Sequence, residues 1–352
     1  MTGEGWRLSE DDLRGWLAAL VRQGKQLVAP SEEQGLLLFR PVGSAQEVCL
    51  TFANARWSPK EFLFPRSEAL LSYRLRGDDV LLGDPQLPEG DVVLFGVRPC
   101  DAAGLSRLDE VFAGTQPDPH FARRREQTAV VCLACDRTGA ACFCTAVGGS
   151  PSGEEGSDVQ VVSLDGAWLL HVLTPRGERL VAGQASSWTP ATHEDSSAAA
   201  AQRSRLEASI EQAAVTPEWA SDLEKSFEDP VWESIGRRCL GCGICAYVCP
   251  SCSCFDVNDE GDSYCGTRCR SWDSCAFALF TRHASGHNPR PTQASRYRQR
   301  VLHKFAYFPA EHAGRLMCVG CGRCLELCPV GVDIHRSVHA AVESGKAGEE
   351  SK

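Results

Sequence analysis

Along residues 1–183 short apolar runs alternate with polar stretches, the strand-length ones at 92–97 (VVLFGV), 128–135 (TAVVCLAC), 159–164 (VQVVSL) and 167–175 (AWLLHVLTP). Further runs occupy 35–42 (GLLLFRPV), 47–52 (EVCLTF), which reads as a strand with Cys49 in the core, and 179–183 (RLVAG). Residues 13–23 (LRGWLAALVRQ) and 102–112 (AAGLSRLDEVF) instead carry apolar positions at helical spacing. Several strands with few helices predict an α+β or mixed α/β domain over this stretch. Residues 184–204, small, polar and alanine-rich, read as a linker running into a helix. Helical patterns follow at 206–214 and 217–238, where Thr216 before Pro217 has the form of an N-cap with proline at the first helical position.

Beyond that point cysteine replaces hydrophobic period as the organising signal. The string C-x-x-C-x-x-C-x-x-x-C-P occurs twice, as Cys239, Cys242, Cys245, Cys249, Pro250 and as Cys318, Cys321, Cys324, Cys328, Pro329. Three cysteines at a period of three wrap three corners of a 4Fe-4S cubane, and in two-cluster ferredoxins the cysteine before proline ligates the other cluster. Crosswise pairing therefore predicts one cluster on Cys239, Cys242, Cys245 and Cys328, and a second on Cys318, Cys321, Cys324 and Cys249. Gly241, Gly243, Gly320 and Gly322 leave room for the backbone to approach the sulfides. Structural zinc, the competing reading, uses two separated C-x-x-C pairs rather than a repeated triplet followed by C-P.

These readings divide the chain into a mixed domain at 1–183, a linker with connecting helices at 184–229, a two-cluster ferredoxin-like domain at 230–342 and a frayed tail at 343–352. The long insertion between the two motifs predicts an α-helical version of the cluster domain, so the overall class is α+β. The chain has 352 residues, nineteen cysteines and a formal charge of -10. Its start lacks a basic-then-apolar leader pattern, which places the thiols in a reducing cytoplasm. No apolar run reaches the length of about 20 residues that spans a bilayer, which argues against membrane integration. The acidic balance argues against a nucleic-acid surface. The one dense basic stretch, 290–304, reads as a solvated helix face.

The remaining cysteines fall into groups. Cys100 follows a strand at the start of a helical pattern, a position that favours a thiolate. Cys132 ends a second strand, and Cys135, Cys142 and Cys144 occupy the glycine-containing loop after it. Loops after neighbouring strands converge at one sheet edge, so Cys100, Cys132, Cys142 and Cys144 are predicted to hold a third 4Fe-4S cluster, with Cys135 in reserve. Cys252, Cys254, Cys265, Cys269 and Cys275 read as packed core thiols. His283 and His287 have the i, i+4 spacing of a metal pair, but Gly286, Pro289 and Pro291 disfavour a helix there, so these two and His303 read as hydrogen-bonding residues.

The segments at 271–309 (SWDSCAFALFTRHASGHNPRPTQASRYRQRVLHKFAYFP) and 318–334 (CVGCGRCLELCPVGVDI) resemble the β subunit of cytoplasmic NiFe sulfhydrogenases and the similar iron-sulfur subunit of anaerobic sulfite reductase. The resemblance extends through 239–257, 58–71 (SPKEFLFPRSEALL), 95–105 (FGVRPCDAAGL) and the C-F-C at 142–144. It implies an electron-transfer protein without a substrate site of its own, working between a flavin-containing NAD(P)H-reactive subunit and its catalytic partner. That partner is the NiFe hydrogenase small and large subunits in one case and a sirohaem sulfite reductase subunit in the other. It also supports the third cluster, although the longer CDRTGAACFC loop leaves the fourth ligand open between Cys135 and Cys142. Trp272, His283, His287, Arg290 and Arg300 are candidates for packing or for a partner interface. The chain lacks the glycine-rich fingerprint of a dinucleotide fold and a P-loop, which favours an electron relay. Two other readings are an oxidoreductase with flavin or substrate beside Arg98, Cys100 and Asp101, and a redox sensor.

Overall fold

The computed structural model describes residues 5–85, 90–216 and 218–350, the last four by backbone alone. Its strands, in chain order, are β1 (Gly5–Leu8), β2 (Gln26–Glu33), β3 (Leu36–Pro41), β4 (Ser67–Arg76), β5 (Asp79–Gly83), β6 (Val92–Val97), β7 (Thr128–Leu133), β8 (Val159–Leu164), β9 (Ala167–Val172), β10 (Thr189–Pro190), β11 (Phe255–Gly261) and β12 (Cys265–Trp272). The chain separates into two compact units. One comprises Met1–Leu63, Glu89–Ala214 and Val319–Arg323, and the other Phe64–Pro88, Val215–Cys318 and Cys324–Lys352.

The first unit is built on an eight-stranded sheet of order β10-β1-β9-β8-β7-β6-β2-β3. Its centre, β2, β6, β7 and β8, is parallel, and the outer pairs are antiparallel. β6 and β7 are almost wholly buried, the state that continuous apolar runs specify when both sheet faces are covered. The helix Glu10–Arg22 starts at a Ser9 capping box with Asp12 and buries Leu13, Trp16, Leu17 and Leu20 at helical spacing. The helix Pro99–Phe112 begins directly after β6, with Pro99 at its first turn, and buries Ala102, Leu105, Leu108 and Phe112. Parallel order therefore brings the carboxyl ends of β6 and β7 side by side, each followed at once by cysteine-bearing segments.

The second unit holds an antiparallel sheet of order β11-β12-β4-β5 and several short helices. Leu223, Trp232, Val301, Leu302, Phe305, Ala306, Val338 and Ala341 form its apolar interior. Within the sheet the buried Glu68 carboxylate accepts from Arg270 Nε at 3.0 Å and Nη2 at 2.5 Å. Trp272 is buried, and its indole N–H donates to Phe64 O at 3.1 Å. Among the described residues no helix is long and apolar enough to cross a membrane.

The α+β class holds, with local corrections. The insertion between the cysteine motifs is not wholly helical: it opens with the β11–β12 hairpin, whose outer strand is exposed along its length and so carries no burial pattern to read. Residues 47–52 form no strand; Cys49 follows a short 3-10 turn, is only partly buried, and points its thiol at Thr51 O. The linker folds earlier than expected, as the helix His193–Ala208, because a Thr192–Asp195 capping box precedes a run of alanines. Pro217 lies outside the described residues. Where a frayed tail was expected from residue 343, the helix Ile334–Glu350 continues.

Candidate iron-sulfur sites

In the second unit Cys239, Cys242, Cys245 and Cys328 line one pocket together with Cys324, Ala276, Tyr297 and Arg300. The four cysteines assigned crosswise to one cluster thus meet, including the one contributed by the second motif. Gly241 and Gly243 adopt φ of 67° and 75°. A Cβ on Gly241 would stand 2.8 Å from Gln293 Oε1, and one on Gly243 would stand 2.6 Å from the Phe277 ring. The positive φ strains any L side chain at either position. Gln293 Nε2 donates to Cys239 Sγ at 3.2 Å, and the Val332 N–H donates to Cys328 Sγ at 3.2 Å. Donors of this kind stabilise thiolate charge at cluster ligands. Cys242 is the exposed member of the set.

Cys249, Cys318 and Cys324 belong to the same unit, and Cys318 and Cys249 are among the groups facing Cys324. Burial raises the Cys324 thiol to about 12, and the Cys245 thiol is also raised, again mainly by burial. Cys249 behaves in the opposite sense: a hydrogen bond from Cys252 holds its thiol well below the ordinary range, assisted by Lys304 and Arg300. Cys321 lies on Val319–Arg323, which folds with the first unit.

In that first unit the carboxyl ends of β6 and β7 carry a second group. Cys100 occupies the first turn of the helix Pro99–Phe112, as the sequence predicts, but a thiolate is not favoured there. Burial pushes its thiol well above the ordinary range, and the charges of Asp101, Cys321 and Cys135 add to this. Desolvation outweighs the helix terminus. Burial likewise raises Cys132 and Cys144 to about 12 and Cys135 to about 11. Such thiols become ligands when a cation takes the place of the proton.

The charge of Cys135 acts on Cys100, Cys132 and Cys144, and that of Cys142 acts on Cys135 and Cys144. Cys132 is fully buried on β7, with its sulfur 4.0 Å from Gly153 O. Arg98, 1 % exposed, clamps the loops around the group. Its Nη1 donates to Leu133 O at 3.1 Å and Ala134 O at 2.9 Å, its Nε donates to Ala53 O at 3.2 Å, and Nη2 bonds Phe52 O.

The segment Val319–Arg323, which belongs to the first unit, is tied to this same site. Arg323 donates to both Asp101 oxygens, at 2.6 and 2.7 Å, and to Ala55 O at 2.9 Å. The Phe143 N–H donates to Gly320 O at 2.9 Å, and Asn54 Nδ2 donates to Cys321 O at 3.0 Å. Gly320 and Gly322, at φ of 63° and 77°, pass so close that a Cβ would stand 2.5 Å from Cys144 Cα or 2.3 Å from Ala141 O.

Among the described residues no three His, Cys, Asp or Glu side chains converge on a single-ion site. A cubane, unlike one ion, holds its cysteines at four separate corners. The sets above supply sulfur donors, glycine approaches and N–H donors that fit such a group.

Residues 238–332 match the model of the 4Fe-4S dicluster domain. Over 326 residues the chain is 32% identical to subunit beta of sulfhydrogenase 2 from Pyrococcus furiosus, a match covering 92% of this chain and 94% of that relative. The chain belongs to the sulfhydrogenase beta-subunit family. As a member of that family with a dicluster domain, it is an iron-sulfur protein of 4Fe-4S type with an electron-transfer role.

Several residues that matter to these sites in the sulfhydrogenase-type protein escaped the sequence reading. The basic stretch 290–304 is not a solvated face: Arg296, Arg300 and Lys304 are buried. Their spacing of four residues along the helix Gln293–Leu302 and the wider turn His303–Tyr307 was the available signal. Arg323 and its partner Asp101 are 222 residues apart, and no local pattern pairs them. His283 and His287 sit in an exposed turn closed by the His283 N–H donating to His287 O at 2.8 Å. Cys265 and Cys269 lie on β12, apart from the Cys249–Cys252 and Cys254–Cys275 pairs.

Proposed function

We propose that this chain relays electrons in the cytoplasm between a flavin-containing NAD(P)H-reactive subunit and the small and large subunits of a NiFe hydrogenase. Two clusters would be held crosswise, by Cys239, Cys242, Cys245 and Cys328 and by Cys249, Cys318, Cys321 and Cys324. A third would be held by Cys100, Cys132, Cys142 and Cys144, with Cys135 in reserve. When bound, each cubane takes up and gives back one electron.

The observation that carries this reading is the juncture in the first unit, where Cys321 faces Cys100 and Arg323 pairs with Asp101. A ligand loop of the second motif and the Arg-Pro-Cys-Asp site are thereby held as neighbours, as successive stations of one relay require. Arg98 and Arg323 clamp the surrounding loops through backbone carbonyls and Asp101. The same contacts weigh against a flavin or substrate site beside Cys100, because Arg98 and Asp101 are already engaged by backbone carbonyls and by Arg323.

The test is reduction of the anaerobically purified chain. Dithionite should bleach it, whereas NADPH and hydrogen should leave it oxidised until the flavin protein or the hydrogenase subunits are added. Reduction by NADPH without a partner would contradict the relay reading. Nickel in the co-purified complex supports the hydrogenase partner, and sirohaem in its place would contradict it.

A further inference from the structure

Arg300 and Lys304 are cations in the interior of the second unit, 4 % and 2 % exposed. Arg300 Nη1 lies 3.7 Å from Cys252 Sγ, and its Nη2 donates to Cys245 O at 3.1 Å. The cysteines facing its guanidinium are Cys245, Cys252, Cys324 and Cys249. Lys304 Nζ donates to Ser251 Oγ at 3.0 Å, and that hydroxyl stands 3.4 Å from Cys249 Sγ. Cys249, Cys252 and Cys318 face the ammonium. Among the described residues neither cation has a carboxylate within ion-pair distance, in contrast to the buried Arg270 and Arg323.

Burying a cation without an opposite charge is strongly unfavourable. A fold keeps one where negative charge faces it, and among the described residues the sulfurs facing these two cations are those of Cys252 and of the motif cysteines Cys245, Cys249, Cys318 and Cys324. We infer that Arg300 and Lys304 set the reduction potentials of the two motif clusters, Lys304 acting on the one ligated by Cys249 and Cys318, and Arg300 on both. The inference rests on the dicluster reading and deepens it.

The physical reason is Coulombic. Reduction adds one negative charge to a buried site, and a fixed cation a few ångströms away stabilises that state more than the oxidised one. The two residues differ in reach. Arg300 faces Cys245, assigned to one cluster, as well as Cys249 and Cys324, assigned to the other. The motif cysteines that act most strongly on Lys304, Cys249 and Cys318, belong to the second set. Ser251, fully buried, links the ammonium to Cys249 through its hydroxyl. Arg300 and Lys304 are positioning residues in this sense: they act on the ligands and touch no substrate.

The experiment is an EPR-monitored redox titration of the full chain, purified anaerobically, with iron and sulfide counted beforehand. Lys304→Met should lower one midpoint by at least a tenfold loss of electron affinity, about 59 mV for a one-electron couple, and leave the other unmoved. Arg300→Met should lower both, and Lys304→Arg should keep the parent values. Full iron with unmoved potentials in Lys304→Met overturns the inference while leaving the dicluster reading intact. If Lys304→Met fails to retain its iron, Ser251→Ala decides: a fall in one potential supports the inference, and no shift overturns it. A parent chain without iron overturns the dicluster reading itself, and this inference with it.

Discussion

Asp101 and Arg323 form a bidentate ion pair in which the carboxylate is wholly buried and the guanidinium 1 % exposed. One follows the ligand candidate Cys100, and the other lies between Cys321 and Cys324, so a single contact ties two cysteine segments together. Breaking a buried pair from one side leaves an uncompensated charge. Asp101→Asn should therefore destabilise the protein by about 3–5 kcal/mol, read as a lower thermal midpoint. Replacing both residues by apolar ones of similar volume should cost less than either single change. A single substitution without effect on the melt would show that the pair is not maintained in solution.

The choice of fourth ligand at the proposed third site can be read by metal analysis. Cys132→Ser should remove about four irons per chain, whereas Cys135→Ser should keep the iron. The reverse pattern would move the ligand position to Cys135.

Gly320 and Gly322 should be intolerant of even a methyl group. Gly320→Ala adds about 1–2 kcal/mol of left-handed backbone strain and a collision with Cys144, so iron content should fall with stability. Gly286→Ala is the control. It has a similar positive φ but its nearest neighbour is the Arg282 side-chain end, 4.0 Å away, and iron should be retained.

Arg98→Lys keeps the charge and removes the fork that holds Leu133 O, Ala134 O and Ala53 O together. The loops after β6 and β7 should loosen. Iron should be lost from the third site and kept at the motif clusters, which EPR of the reduced protein can distinguish.

Much of this architecture is legible in the sequence, and the reasons differ by element. β6 and β7 are visible because burial on both faces demands an unbroken apolar run, and the two cysteine triplets because cubane ligation fixes their spacing. The β4–β5 hairpin is not legible as a member of the second unit, because its pairing with β12 joins segments nearly two hundred residues apart. Arg300 and Lys304 were misread because charge normally marks solvent, and their partners are the Cys252 thiol, the Cys245 carbonyl and the Ser251 hydroxyl rather than carboxylates.

His303 gives the second unit an acid-sensitive element. Burial, with help from Lys304, Arg290, Arg300 and His312, lowers its pKa to about 4. A histidine unfolded titrates near 6.5. Between these values the unfolded chain binds the extra proton, so the contribution is complete above about pH 6.5 and is lost as pH falls toward 4. The thermal midpoint should drop across that window, and His303→Gln should flatten the drop relative to the parent. An identical pH profile in the variant would contradict this assignment.

The count of iron and acid-labile sulfide per chain, on protein purified without oxygen, tests the three-cluster relay most directly. About twelve of each is the predicted result. About eight would confine the clusters to the two motifs and leave Cys100, Cys132, Cys142 and Cys144 structural, and colourless zinc-loaded protein would contradict the account as a whole.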